Sequence, residues 1–124
     1  MDQFELGEKL REIYFEKLKF CGCGRPQDTM LFIKDFLNVI YDKFESKLNY
    51  DEYQNRLKEV FQFQNIENHF TDTQYGIFQF VAYYLDEIGI IEHGGGIGGA
   101  WLSDVGKQLR DLLNNVEDFE TIMD

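Results

Sequence analysis

The chain has a single proline and two cysteines in 124 residues. That excludes a proline-rich spacer and a disulfide-stapled scaffold. It also lacks a long apolar run. The longest uncharged, strongly apolar stretch, residues 77–85, is far short of the ~20 residues that span a bilayer. No basic segment followed by an apolar one opens the sequence, so no secretory signal is expected. These features point to a cytoplasmic protein with no membrane segment, whose cysteines are thiols. The remaining scarcity is of positive charge. Twelve Lys and Arg stand against 23 Asp and Glu, a net charge of −11. That balance argues against non-specific binding to nucleic acid or an anionic membrane surface.

What is present is a core. Hydrophobic residues make up 44% and aromatics 16% of the chain, which excludes a disordered acidic tail. The length suits one domain over residues 1–124. Its parts are N-terminal helices over 1–63, a second part over 71–116 and an acidic tail over 117–124.

The spacing predicts a mainly α protein with about five helices and a small two-stranded β-hairpin. Leu6, Leu10, Ile13, Tyr14 and Leu18 form one stripe of a helix from about Gln3 to Phe20. Cys21-Gly22-Cys23-Gly24-Arg25-Pro26 stops it. A second helix, about Gln27 to Lys47, turns Met30, Ile33, Phe36, Leu37, Ile40 and Phe44 inward. Asn49 and Glu52 have capping-box spacing and open a third helix to about Phe63, with Tyr53, Leu57, Val60 and Phe61 inward. Residues 73–88 form a fourth, apolar most of the way round and so expected to be central, ending at Gly89. Ile90 to His93 and Ala100 to Leu102 read as strands flanking a Gly-rich turn. Ser103 caps a last helix carrying Val105, Leu109, Leu112, Leu113 and Val116. Residues 117–124 are expected to fray unless Phe119 and Ile122 tether them.

The segment from Leu85 to Leu113 carries a recognisable order. Leu85, Gly89, Ile90, Ile91 and Glu92 end a helix and start a strand. Leu102, Ser103, Gly106 and Leu109 then open the closing helix. This pattern resembles the end of a winged-helix domain, over roughly residues 71–113. The resemblance implies a wing at the Gly-rich turn and, since flanking helices often build dimers in such proteins, a homodimer. The C-G-C-G-R-P element resembles one found near the start of small uncharacterised bacterial or phage proteins.

Winged-helix proteins often bind DNA, but this chain departs from them on the surface that would do so. Residues 59–106 contain no Lys or Arg and seven acids. Phosphate neutralisation and guanine reading both call for cations. The charge is uneven: residues 1–58 carry ten cations and eleven acids, whereas residues 59–124 carry two and twelve.

Other chemistries are poorly supplied. Cys21 and Cys23 are two thiols with no close second pair, and His69 and His93 lie 24 residues apart, so no metal is expected. Gly94, Gly96 and Gly99 spell a glycine fingerprint, yet neither an opening helix nor further parallel strands follow, so no nucleotide cofactor is expected. No hydrolase or zincin motif occurs. Arg25 reads as a solvated surface cation, with a carboxylate or phosphate as its other candidate partner. Trp101 reads as a core residue closing the hairpin, the alternative being an exposed anchor for a partner.

The sequence thus favours a non-catalytic protein-interaction or regulatory module without cofactor or metal. It acts through an acidic surface and the Gly-rich wing on a protein partner, a basic one where the acids meet it. The candidate partner-binding residues are Glu92, His93, Gly95, Gly96, Ile97, Gly98 and Trp101. The alternatives are a winged-helix DNA-binding transcriptional regulator using Lys9, Lys17, Lys19, Arg25, Lys34, Lys43 and Lys47, and an acidic nucleic-acid mimic that inhibits a basic protein.

Overall fold

The computed structural model describes residues 1–19, 25–64, 83–94 and 100–123, with the side chains of 61–64 set aside. Among these residues the protein is mainly helical with one small antiparallel sheet. Helix α1 covers Gln3–Ile13 and continues into a π-helical turn over Tyr14–Leu18. Helices α2 (Pro26–Phe44) and α3 (Tyr50–Gln64) follow. The helical residues 83–87, here α4, lead into strand β1 (Ile91–Glu92). Strand β2 (Trp101–Leu102), α5 (Asp104–Asn114) and the short α6 (Phe119–Ile122) complete the order.

The π turn has a cause in the spacing. Leu6, Leu10, Tyr14 and Leu18 recur every four residues, so in a helix of 3.6 residues per turn the stripe rotates about 40° per step. The amide of Lys19 reaches back five residues to the carbonyl of Tyr14 at 3.0 Å. The wider turn returns Leu18 to the core beside Tyr14, while Phe15 is left exposed.

Among the described residues helix α2 is central. Met30, Phe32, Ile33, Phe36, Leu37, Val39 and Ile40 are buried on it. It touches the π turn, α3, β2, α5 and α6. Most of residues 73–88, the helix expected to be central, lies outside the described residues. Helix α2 also stops three residues before its expected end at Lys47. Ser46 takes the left-handed conformation with φ 59°. The amide of Lys47 then donates to the carbonyl of Asp42 at 2.9 Å, and that of Ser46 to Lys43 at 3.1 Å. This is a Schellman ending built on serine where glycine is the usual residue.

Capping residues behave as their chemistry requires. Asn49 Oδ1 accepts from the Glu52 amide at 2.9 Å. Glu52 reaches back to the Asn49 side-chain amide, which donates at 2.7 Å. Ser103 Oγ accepts from the Gly106 amide at 3.0 Å and starts α5.

Two expected core positions are exposed instead. Phe44 is 55% and Val105 47% accessible. Both lie at the end of the apolar stripe of their helices, where cover is only partial: Phe44 meets Trp101 of β2 on one side. The C-terminal stretch shows the tether rather than the fray. Ile122 and Met123 are buried, Arg11 Nη1 donates to the Ile122 carbonyl at 2.7 Å, and Arg25 clasps Glu120 with two bonds of 2.8 and 2.9 Å. Arg25 also pairs with Asp28 on the first turn of α2. Its partners are therefore the chain's own carboxylates, not solvent alone. Burial of two apolar side chains offsets the ordering cost of this short segment.

Candidate functional site: the hairpin base

The segment between α4 and α5 is assembled around one carbonyl. Gly89 adopts φ +83°, which an L side chain rarely does, and turns the chain out of α4. The Ile90 amide returns to the Leu85 carbonyl at 2.8 Å. The Ile90 carbonyl then accepts from both the Ser103 amide at 3.1 Å and Ser103 Oγ at 2.9 Å. Ser103 Oγ also lies 2.6 Å from the Gly89 carbonyl. Gly106 packs directly on the Ile90 carbonyl, leaving no room there for a Cβ. Leu85, Ile90, Ile91, Leu102 and Leu109 are buried beneath this junction. The residues that carry the winged-helix resemblance thus each have a packing or hydrogen-bonding task here, whatever the origin of the pattern.

On this base β1 and β2 pair antiparallel, with Ile91 opposite Leu102 and Glu92 opposite Trp101. Alternation turns Ile91 and Leu102 inward and leaves Glu92 exposed with half-buried Trp101 beside it. Trp101 Nε1 donates to Glu92 Oε2 at 2.9 Å. The Trp101 ring lies 5.9 Å from that of Phe44 at the end of α2. Trp101 is therefore partly a hairpin-closing residue and partly surface. His93 points elsewhere. Its Nε2 is 3.3 Å from Asp86 Oδ2, an ion pair when the ring is protonated, and Tyr83 meets the ring edge-on at 6.3 Å between centroids. Tyr83 is 55% exposed.

The structure thus separates Glu92 from His93: each has its own partner, and they form no acid–base couple. Gly95, Gly96, Ile97 and Gly98 lie outside the described residues, as do Cys21, Cys23 and His69. Among the described residues no group of three or more His, Cys, Asp or Glu side chains is placed to hold a metal ion. No helix among them is long and apolar enough to cross a membrane. Sequence reasoning missed Phe44, Tyr83 and Asp86 as members of this site. Phe44 was hidden in a core stripe, and only contact across the fold pairs Asp86 with His93.

Comparison with family models, curated proteins and solved structures finds no match for this chain.

Proposed function

We propose that this protein is a non-catalytic interaction module, cytoplasmic by its sequence, whose hairpin base meets a protein partner. The observation that supports this reading is the grouping of aromatic and acidic side chains at that base. Phe44 stands exposed beside half-buried Trp101, and Tyr83 stands exposed beside His93. Aromatic side chains that keep much of their surface in water are the residue types that dominate binding energy at protein interfaces. Residues 83–106 carry four carboxylates and no Lys or Arg. A partner with a basic rim fits that balance better than a phosphate backbone does. Mimicry of nucleic-acid charge is the form this reading takes if the partner is itself a nucleic-acid-binding protein. A homodimer built by the N-terminal helices is compatible with it.

The test compares affinity capture by the wild-type chain with capture by Phe44→Ala and Glu92→Lys. Both positions are exposed, so the fold is expected to persist. Captured species lost with both variants support the reading. A capture profile that neither variant changes counts against it. Binding of random DNA at micromolar protein in low salt would favour the regulator alternative, through the cations of the N-terminal helices.

A further inference from the structure

A second surface lies away from the hairpin tip and has the opposite character. Helices α1 and α5 leave a half-open groove of about 320 Å³ between them. Ile90 and Leu109 form its buried floor, and Ile13, Leu112 and exposed Val105 its walls. Two cations line it, Lys9 and Lys17, both exposed and neither in an ion pair among the described residues. One acid, Asp111, also lines it, facing solvent and 3.7 Å from Arg110. The groove is thus apolar inside and net positive at its edge, in a chain with a net charge of −11.

Its length along both helices is that of about two helical turns. Val105 and Leu112 are seven residues apart on α5, about 10 Å at 1.5 Å per residue. Lys9 and Lys17 are eight apart on α1 and its π turn, about 12 Å. Slightly more than two turns of a third helix span both distances and present side chains at i, i+3 or i+4, and i+7, the usual anchors of a helix held in a groove. A second observation points the same way. The π turn falls on this groove and contributes Lys17, and such turns inside α-helices are frequent at functional sites.

We infer that the α1–α5 groove receives an amphipathic helix of a partner protein, with apolar anchors over two turns and carboxylates about eight residues apart facing Lys9 and Lys17. The groove uses none of Phe44, Glu92, His93 and Trp101, so this inference stands or falls separately from the hairpin reading. Its half-open form suits a helix better than a small amphiphile, which binds in a more enclosing pocket.

The experiment titrates the full isotope-labelled chain with an 18-residue helix-forming peptide that has Leu anchors at this spacing and two Glu along one edge. A matched peptide with Lys in place of Glu and sodium decanoate serve as the other probes. The expected result is saturable shifts at the amides of Lys9, Ile13, Lys17, Val105 and Leu109, with the Glu peptide bound about tenfold tighter than the Lys peptide. Exposed ion pairs are each worth about two- to fivefold, and the exchange turns two attractions into repulsions. Combined Lys9→Glu and Lys17→Glu inverts the preference, and combined Lys9→Gln and Lys17→Gln reduces it below about threefold, as loss of those pairs requires. Val105→Asp weakens both peptides. Absence of saturable shifts at the groove overturns the inference. So does a preference for the Glu peptide that survives charge reversal, or a groove that decanoate fills and neither peptide does.

Discussion

Replacing Gly106 by alanine sets two physical effects against each other. Gly106 is in the first turn of α5, and a glycine there costs about 1 kcal/mol relative to alanine by helix propensity. Propensity alone therefore makes Gly106→Ala stabilising. The tertiary structure reverses the sign. The added Cβ would overlap the Ile90 carbonyl oxygen and lie 3.1 Å from its carbon and 3.4 Å from Leu102 Cβ. The obstacle is backbone, which cannot rotate away as a side chain does. Relief requires α5 to back off from the turn after α4. That movement stretches the bonds from the Ser103 amide and hydroxyl to the same carbonyl. Each such bond contributes about 1 kcal/mol, and forced overpacking costs about 1–3 kcal/mol. Less the propensity gain, the net destabilisation is roughly 2–4 kcal/mol. Thermal unfolding followed by the fluorescence of Trp101, the single tryptophan, reads it as a Tm lowered by on the order of 10 °C. An alanine variant equal to or more stable than wild type would refute the packing of α5 on Ile90.

Ser103→Ala is expected to cost about 1–2 kcal/mol, because the hydroxyl both caps α5 and shares its one proton between the Gly89 and Ile90 carbonyls. Ser103→Asp recovers only part of that loss in urea unfolding, since a carboxylate caps but cannot donate. Gly89→Ala is expected to cost about 1–2 kcal/mol for a different reason, its φ of +83° in otherwise open space. Asparagine there should cost less than alanine. Ser46→Gly is expected to raise stability by about 0.5–1 kcal/mol by relieving the left-handed serine that ends α2. A lowered Tm would contradict that. The Asp35 carboxyl is half-buried, and burial raises its pKa above the ordinary value against the smaller opposing pulls of Lys34 and Arg56. A raised folded-state pKa makes this group's contribution most favourable in acid and lost as pH rises from the unfolded value through the folded one. Asp35→Asn is therefore expected to raise Tm at pH 7 and to lose that advantage below pH about 4, where both states hold a protonated carboxyl. A stabilisation independent of pH would point to another cause.

Much of the candidate site could be read along the chain because it rests on local rules. Strand and turn signals placed Glu92 and Trp101 on the hairpin, and cap chemistry assigned Ser103 its task. Its aromatic and acidic neighbours could not be read that way. Phe44 and Trp101 are 57 residues apart and meet only across the fold. Asp86 is brought to His93 by the turn at Gly89 and Ile90.

The helical class, the caps at Asn49 and Ser103 and the stop at Gly89 follow from residue order alone, because these depend on residues within one or two turns. Residue order also determined which face of each helix is apolar, but not how much of that face is covered. Phe44 and Val105 end their stripes where cover is only partial, and only the packing of one helix on another fixes where cover ends. The same holds for the C-terminal tail, whose acids suggest fraying until Arg11 and Arg25 are seen to hold it. The α1–α5 groove, too, exists only in the assembled protein. Its two walls are about 100 residues apart in sequence. Local periodicity specifies surfaces; juxtaposition decides which become core, which become site, and where a glycine is kept for space rather than for its φ.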